Sequence, residues 1–522
     1  MTLDNVTNQL KAFFIPATNP LYDTRGRDIS ELGKTWITLF KQTISTDELV
    51  SSIISQFRDY GPYALLYAYS LLLKAGTQSI NISELYDDIL GMRLSANEKF
   101  FIYYQLKSIN FQGINSTASG KSITLYQQII TEFNNQLKAK INYIPATERN
   151  EDVIVVFTAQ FLGLNHAPTK TALDRIRVLK SIASKEVILI NTCDLLPKAG
   201  ALPWFDMALA NRADIEQQTM EYQGAKFKYA QCSDTMPNVH EMTMLIDVIN
   251  TLKPSFTISI GENLLADISS QIVPNAVIST VFSSLSYSPS QFRVIGRKVS
   301  ELEKNNLSKY GLSADSVIES TFTFDFKPQK NIFSRSSLRL PENKLLITLI
   351  GGRLTTEFSE SFLQELLPLC DQGIHFVTVG YFDTYTQLCD KYPRFQQNSS
   401  HLGFQDDVLA VLETCDLFLN PPRAGGGSSA AEALFKGKPV ITLNMGDVAT
   451  TAGQAFIVNN MHELREKIIK YKNDKNFYLE QSQIAKDRAK VLMNSDMAFS
   501  DVLQQINLHH FFDYPWQLYK QM

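Results

Sequence analysis

The residues best suited to binding an anion lie in the stretch DLFLNPPRAGGGSSAAEALFKGKPVITL, at positions 416–443. A predicted strand ends at Asn420, two prolines stop it, and three glycines at 425–427 lead into a helix predicted to begin near Ser428. Glycines let the backbone approach a ligand closely, and the free amides of a first helical turn bind phosphate. The stretch therefore predicts a ligand that carries phosphate.

Glu432 lies one turn inside this predicted helix and has two interpretations. Ser429-Ala430-Ala431-Glu432 has the pattern of a capping box, in which the glutamate only stabilises the start of the helix. Alternatively, its carboxylate binds hydroxyl groups of the ligand. The local sequence leaves both interpretations open.

A second candidate is the segment LLITLIGGRL at 345–354, where a β-rich run ends in Gly351 and Gly352 and is followed at once by Arg353. A guanidinium on a glycine turn at the carboxyl end of a strand is well placed to bind a diphosphate. The alternative is a surface arginine that only caps a helix or forms an ion pair.

Two residues in the N-terminal half could act on an acceptor. His166 lies in a loop between a predicted strand and a predicted helix, where an imidazole could deprotonate a hydroxyl or hydrogen-bond a sugar, or be merely structural. Glu262 follows the β-rich run SFTISI in the same way. Its loop could bind the acceptor or the sugar, or only cap the next helix through Asn263.

The sequence offers no evident metal site. It contains neither an Asp-x-Asp pair in a loop nor a His/Cys cluster at ligand spacing, so we expect no metal and no cofactor.

The elements that must position these residues fall into two alternations of strand and helix. Residues 1–150 carry mostly helical patterns, and short β-rich runs alternate with helices from 151 onward and again from about 340, after a polar segment at roughly 300–340. This alternation predicts two doubly wound α/β domains with a crevice between the carboxyl ends of their sheets. We expect domains at 1–150, 151–325 and 326–495, with a helical tail at 496–522.

The composition argues against several classes of protein. The chain has 522 residues, of which 49 are basic and 53 acidic. The resulting net charge of −4 argues against electrostatic binding of nucleic acid along the whole chain. Five dispersed cysteines suit a reducing cytosol. The most apolar run, residues 63–73, predicts a buried helix and is too short for a membrane span. With no signal peptide evident at the start, we expect a soluble, cytoplasmic protein.

The order of these features resembles the C-terminal domain of glycosyltransferases with the GT-B fold, of the group 1 type. The resemblance covers roughly residues 340–495 and is carried by three blocks, which are Gly352-Arg353-Leu354, HLGFQDDVLAVLETCDLFLNP, and the glycine-rich stretch with Glu432-Ala433-Leu434 and Gly437-Lys438-Pro439-Val440. It implies two Rossmann-like domains facing a cleft. It also implies a nucleotide-sugar donor, and we expect a UDP-linked sugar.

The resemblance also implies roles for residues of this chain. Arg353 would hold the donor diphosphate, Glu432 the ribose hydroxyls, and Gly403, Phe404 and Gln405 would lie beside the base. The donor-binding residues would be Gly351, Gly352, Arg353, Gly403, Phe404, Gly425, Gly426, Gly427, Ser428, Ser429 and Glu432.

The chain departs from this family at two places. Ala424 stands where many retaining members carry a first glutamate, and Thr355, Thr356 and Glu357 stand where a lysine often follows the arginine. Retaining stereochemistry and the usual second cation are therefore not implied.

We therefore expect a metal-independent hexosyltransferase for a sugar of the glucose or N-acetylglucosamine type. It would act on a hydroxyl of a glycan, glycopeptide or protein acceptor. Two alternatives stay open, which are a non-catalytic GT-B subunit that binds a glycan or assists a partner transferase, and a sugar-nucleotide epimerase.

Overall fold

The structure is a computed structural model that describes residues 2–15, 26–44, 46–77, 79–111, 119–164, 166–194, 218–233, 236–282 and 285–510. Contacts between residues divide the chain into two compact units. The first unit comprises Met1–Ile141, Asn191–Ile215 and Gln231–Thr251, and the second comprises Asn142–Ile190, Glu216–Ala230 and Leu252–Met522. The predicted division into four parts remains a prediction.

The described residues of the first unit are mostly helical, in agreement with the helical patterns of residues 1–150. Its helices are α1 (Leu3–Ala12), α2 (Gly26–Lys41), α3 (Asp47–Arg58), α4 (Pro62–Lys74), α5 (Ile82–Gly91), α6 (Ala96–Phe111), α7 (Ser119–Gln136) and, later in the chain, most of α9 (Val239–Leu252).

Helix α4 forms the centre of this unit. Pro62 at its first position is pre-organised for a helix start, and every residue from Ala64 to Leu73 is buried. The prediction of a buried helix is confirmed. Among the described residues, no helix is both long enough and apolar enough to cross a membrane.

The second unit contains two sheets. The first sheet has eight strands in the order β3-β4-β2-β1-β5-β6-β7-β8. Its strands are β1 (Asn150–Thr158), β2 (Glu186–Asn191), β3 (Thr219–Tyr222), β4 (Ala225–Gln231), β5 (Pro254–Ile260), β6 (Asn275–Ile278), β7 (Phe292–Ile295) and β8 (Val317–Glu319). Strands β1, β5, β6, β7 and β8 pair in parallel, so their carboxyl ends lie at one edge, whereas β3 and β4 form an antiparallel hairpin.

The second sheet has six strands, all paired in parallel, in the order β11-β10-β9-β12-β13-β14. They are β9 (Leu345–Gly351), β10 (Ile374–Gly380), β11 (Ser399–His401), β12 (Leu417–Leu419), β13 (Val440–Leu443) and β14 (Ile457–Val458).

The helices of the second unit follow the strands. They are α8 (Ala167–Ser181), α10 (Leu264–Ser269), α11 (Glu301–Lys309), α12 (Leu354–Glu357), α13 (Glu360–Cys370), α14 (Tyr385–Lys391), α15 (Pro393–Gln397), α16 (Val408–Thr414), α17 (Gly427–Phe435), α18 (Gly446–Ala452), α19 (Met461–Asn473), α20 (Lys475–Leu492) and α21 (Ser495–His510). Short 3₁₀ turns lie at Ala146–Glu148, Ala314–Ser316 and Gln454–Phe456.

The second sheet has an apolar core on each face, because successive side chains of a strand point to opposite sides. Ile347 and Leu349 of β9 belong to one core, and Leu346 and Ile350 belong to the other. A parallel strand buried on both faces is apolar without alternation, which is the pattern of LLITLI. This arrangement fixes the carboxyl ends of β9, β10 and β12 beside one another.

Two sequence predictions of the first sheet were inaccurate in extent. The β-rich run AVISTVF at 276–282 predicts a strand over its whole length, but β6 ends at Ile278 and residues 279–282 form a loop. The segment at 300–340 is only partly a linker, because α11 lies within it and β8 pairs with β7. Apolar residues such as Leu307 and Leu312 pack there into a small core with Ile295.

Candidate functional site

The glycine-rich loop (Pro421 to Gly426) connects β12 to α17. Gly426 has φ +103°, which is strained for other residues, and it starts the helix without any side-chain cap. The amides of Gly427, Ser428 and Ser429 are the first three of α17 and have no partner within the helix. The predicted start near Ser428 is accurate to one residue, and the helix presents free donors at the loop.

The capping-box interpretation of Glu432 is wrong. Because α17 begins at Gly427, Ser429 is already its third residue and Glu432 lies in its second turn. The carboxylate lies instead 3.9 Å from Nζ of Lys170. Burial raises the pKa of Glu432, and the nearby Lys170 lowers it in part.

Lys170 brings α8 of the first sheet to α17 of the second. Its Nζ lies 3.2 Å from Oγ of Ser428 and its side chain is only 15% exposed. The fourth residue of one helix therefore contacts the first turn of another, and Glu432, Ser428 and Lys170 form one polar cluster.

Arg353 occupies the glycine turn after β9, as predicted, but it is paired. Its Nε and Nη2 donate to Oε1 of Glu357 at 3.1 and 2.8 Å, and the other oxygen of Glu357 accepts from Nη1 of Arg423 at 2.8 Å. The Arg353 side chain is half exposed, whereas that of Arg423 is buried. One carboxylate thus links the glycine turn to the glycine-rich loop.

The guanidinium of Arg423 packs closely against two glycines. A Cβ on Gly351 would lie 2.6 Å from its Nη1, and a Cβ on Gly426 would lie 2.5 Å from its Nη2. Nη2 is also buried without a hydrogen-bond partner among the described residues. Gly352, in contrast, has open space around its Cα.

Asp447, in the first turn of α18, hydrogen-bonds to the glycine-rich loop. Its amide donates to the carbonyl of Ala424 at 2.7 Å, and its Oδ1 accepts from the amide of Phe282 at 2.7 Å. Burial raises the pKa of this carboxyl to about 7, opposed by the Phe282 amide and by Arg423 and Arg353. The loop after β6 and the glycine-rich loop are therefore joined through one titratable side chain.

The predicted base-binding segment lies at the carboxyl ends of β10 and β11. The carbonyl of Gly403 accepts from the amide of Gly380 at 2.8 Å. Phe404 stacks on Tyr381 with ring centroids 5.9 Å apart, and both rings are exposed, by 52% and 60%. Exposed aromatic faces of this kind are suited to stacking with a flat ring.

His166 precedes α8 and contacts the third residue of that helix. Its Nδ1 lies 2.9 Å from Oγ1 of Thr169, which also accepts from the amide of Leu162 at 3.0 Å. Burial, with Lys170, lowers the pKa of His166 to about 4, so the ring is neutral near pH 7. The Thr169 proton is then directed to Nδ1, and we assign the ring proton to Nε2.

Glu262 follows β5, and its Oε1 accepts from Oγ of Ser286 at 2.9 Å. Asn263 caps α10, with its Oδ1 accepting from the amide of Ala266 at 3.0 Å, as the sequence predicted. Because β1 and β5 are parallel neighbours, the loops of His166 and Glu262 lie at the same edge of the first sheet. Capping by Asn263 and a role for Glu262 are therefore compatible.

Residues 347–474 match the family described as Glycosyl transferases group 1. Over nearly its whole length the structure is similar to that of a mutant O-GlcNAc transferase of Thermobaculum terrenum, with a TM-score of 0.55, 12% identity and 98% of each chain covered. The chain has the GT-B fold.

Shorter GT-B structures are similar over about two thirds of this chain. HepE of Anabaena in complex with UDP has a TM-score of 0.48 and 12% identity, covering 68% of this chain and 99% of its own. The lipopolysaccharide glycosyltransferase WaaG has a TM-score of 0.46 and 12% identity, covering 67% and 99%. No curated protein matches the sequence significantly.

Sequence reasoning missed four residues of this site in the GT-B fold: Lys170, Tyr381, Arg423 and Asp447. Arg423 lies inside the glycine-rich stretch, and its position two residues before Gly425 was a usable signal. Lys170 and Asp447 gave none, because their partners are more than 160 residues away in the sequence. Within the part of the chain that the structure describes, no group of three or more His, Cys, Asp or Glu side chains could hold a metal ion.

Proposed function

We propose that this protein transfers a hexose of the glucose or N-acetylglucosamine type from a UDP-linked donor to a hydroxyl of a glycan, glycopeptide or protein acceptor. Nucleotide and diphosphate would bind at the second sheet, and the acceptor would bind at the first.

The observation that carries this proposal is the placement of Glu432. Its side chain is largely buried and takes no part in capping α17, and burial raises the pKa of its carboxyl. Burying a carboxylate costs free energy unless it binds something, and Lys170 at 3.9 Å is a loose partner. Ribose hydroxyls would supply the hydrogen-bond donors that it lacks.

The remaining donor contacts follow from the elements around Glu432. The amides at the start of α17 and the half-exposed guanidinium of Arg353 would bind the diphosphate. The exposed rings of Tyr381 and Phe404 would receive the uracil face. Pyrimidine, ribose and phosphate would then follow the carboxyl ends of β10, β12 and β9.

In the reaction, the bond between the anomeric carbon and the donor's phosphate oxygen breaks, and its electron pair leaves with the diphosphate. The acceptor oxygen forms the new bond to that carbon and releases its proton. The α17 amides and Arg353 would stabilise the developing phosphate charge. We assign the proton to Glu262, and we assign to His166, through Nε2–H, a hydrogen bond to a sugar oxygen.

His166 suits the hydrogen-bonding role better than the role of a base. With its pKa near 4 and Nδ1 facing Thr169, the ring is neutral at pH 7 but weakly basic. We therefore prefer, of the two roles that the sequence left open, the hydrogen bond to the sugar.

A panel of nucleotide sugars tests this function. Donor at 100 times its dissociation constant should add about 2.7 kcal/mol to the free energy of unfolding. The UDP-sugar that stabilises the protein most should also release UDP when an acceptor is present. Stabilisation by no nucleotide sugar would contradict the proposal.

Ala424 favours a second candidate, a non-catalytic subunit that binds a glycan or assists a partner transferase, because a glutamate often stands at this position in retaining enzymes. Such a subunit would release no UDP from the purified chain, with or without acceptor. An epimerase would instead interconvert the free nucleotide sugar without any acceptor, which the same assay detects.

A further inference from the structure

The two arginines at the proposed diphosphate site carry little net positive charge together with their acidic partners. Arg353 and Arg423 share the single carboxylate of Glu357, and this trio is left with one net positive charge. Asp447 lies close enough to act on both guanidiniums and reduces even that surplus once it is ionised. A nucleoside diphosphate would bring more negative charge than this cluster neutralises.

Lys170 lies where an ammonium group is unfavourable without an anion. It is in the first turn of α8, and its Nζ reaches Ser428 in the first turn of α17. Both helix N-termini carry positive partial charge, and neither first turn contains an acidic residue. Glu432 offsets this at 3.9 Å, but its own pKa is raised.

Two buried polar atoms near the same loop have unused hydrogen-bonding capacity among the described residues. Arg423 Nη2 and Thr451 Oγ1 have no hydrogen-bond partner among the described residues. Arg423 Nη2 lies against Gly426 of the loop, where a Cβ would be 2.5 Å away, and Thr451 Oγ1 lies against Gly427 at the start of α17, where a Cβ would be 2.9 Å away. Donor capacity around this loop therefore exceeds what the described protein groups use.

We propose that Lys170 supplies the second cation for the donor's diphosphate, from the first sheet across to the glycine-rich loop of the second. This rests on the proposed function and replaces the lysine that is absent at Thr355, Thr356 and Glu357. With diphosphate bound, Lys170 pairs with phosphate oxygen and Glu432 is released to the ribose. The nucleoside part of the ligand makes no contact with Lys170.

Calorimetric titration with UDP and with uridine tests this role. In Lys170→Met, the affinity for UDP should fall about 10-fold or more relative to that for uridine, because only UDP carries the diphosphate that Lys170 contacts. Lys170→Arg should recover part of the loss, and the salt dependence of UDP binding should be weaker in Lys170→Met than in wild type. The control is Lys180→Met, which removes the same charge from the last turn of the same helix and should leave both affinities unchanged.

Three results would overturn the assignment. An unchanged ratio of UDP to uridine affinity in Lys170→Met would remove Lys170 from the diphosphate. An equal loss of affinity for UDP and uridine would show that Lys170 only stabilises the contact between the two sheets. A wild-type protein without affinity for UDP would overturn the uridine-linked donor itself, and this inference with it.

Discussion

The two sheets of the second unit build their sides of the proposed site in different ways. The second sheet uses backbone, with glycine turns after β9, β11 and β12 that bring amides and carbonyls to its edge. The first sheet uses side chains held by neighbours, such as His166 on Thr169 and Glu262 on Ser286. A site made of backbone suits an invariant phosphate, and one made of side chains suits a variable acceptor.

The largest effect should come from adding a side chain at Gly426, where the backbone of the glycine-rich loop would approach the ligand. Gly426→Ala places a Cβ against the Arg423 guanidinium at a residue with φ +103°, so we expect roughly 2–4 kcal/mol loss of stability and loss of nucleotide binding. Denaturant unfolding and calorimetry measure both.

Gly403→Ala is the matched control for this change. Gly403 also has positive φ, at +64°, but no atom lies near its Cβ position, so only backbone strain of about 1–2 kcal/mol applies. Equal destabilisation by the two substitutions would show that the contact with Arg423 does not matter.

Arg353→Ala should weaken donor binding by about 1.5–3 kcal/mol, because a charge-assisted contact to the diphosphate is lost. The fold should persist, since this side chain is half exposed and Glu357 keeps its bond to Arg423. Calorimetry with UDP gives the affinity and the melting temperature gives the control. Wild-type affinity would remove Arg353 from the site.

Asp447 gives a smaller, pH-dependent effect. Between pH about 4 and about 7 the folded protein keeps a proton on this carboxyl that the unfolded chain has released, so stability falls as the pH rises through this window. Asp447→Asn cannot titrate, so relative to wild type it should gain at least about 1 kcal/mol between pH 5 and pH 8. The exposed Asp383→Asn serves as control, and a pH-independent difference between wild type and Asp447→Asn would contradict the raised pKa.

Removal of metal ions is the treatment for which we expect no effect. Turnover should be unchanged by EDTA, because the α17 amides, Arg353 and Lys170 would neutralise the leaving diphosphate without a metal. Activity that EDTA abolishes and magnesium or manganese restores would show that a divalent ion is required.

The contrast between the sheets also explains what the sequence could predict. Gly426 has a positive φ, which is a local property of the backbone, so the turn before α17 was visible in the sequence. Lys170 meets Ser428 across 258 positions, and nothing local in a lysine of a first helical turn indicates that. The interpretation of Glu432 as a cap failed because the N-cap of α17 is Gly426, three residues before the Ser429 that a capping box would require.

The strands also differ in how much of their structure is determined by local sequence. Long apolar runs such as those of β5 and β9 were predicted nearly to the residue, because burial on both faces makes them continuous. Strands β8 and β14 are only three and two residues long, and such short segments carry no periodicity. Their place in the sheets depends on neighbouring strands rather than on their own sequence.

The most direct test of the donor site is UDP binding by Glu432→Gln. Glutamine has one oxygen and no charge, so if Glu432 accepts hydrogen bonds from ribose hydroxyls, UDP should bind about 10-fold or more weakly, at about 1.4 kcal/mol per decade. The melting temperature without ligand should stay close to that of wild type, because Glu432 does not cap α17 and its contact with Lys170, at 3.9 Å, is loose. Equal affinity of Glu432→Gln and wild type for UDP would contradict the placement of the nucleotide at α17.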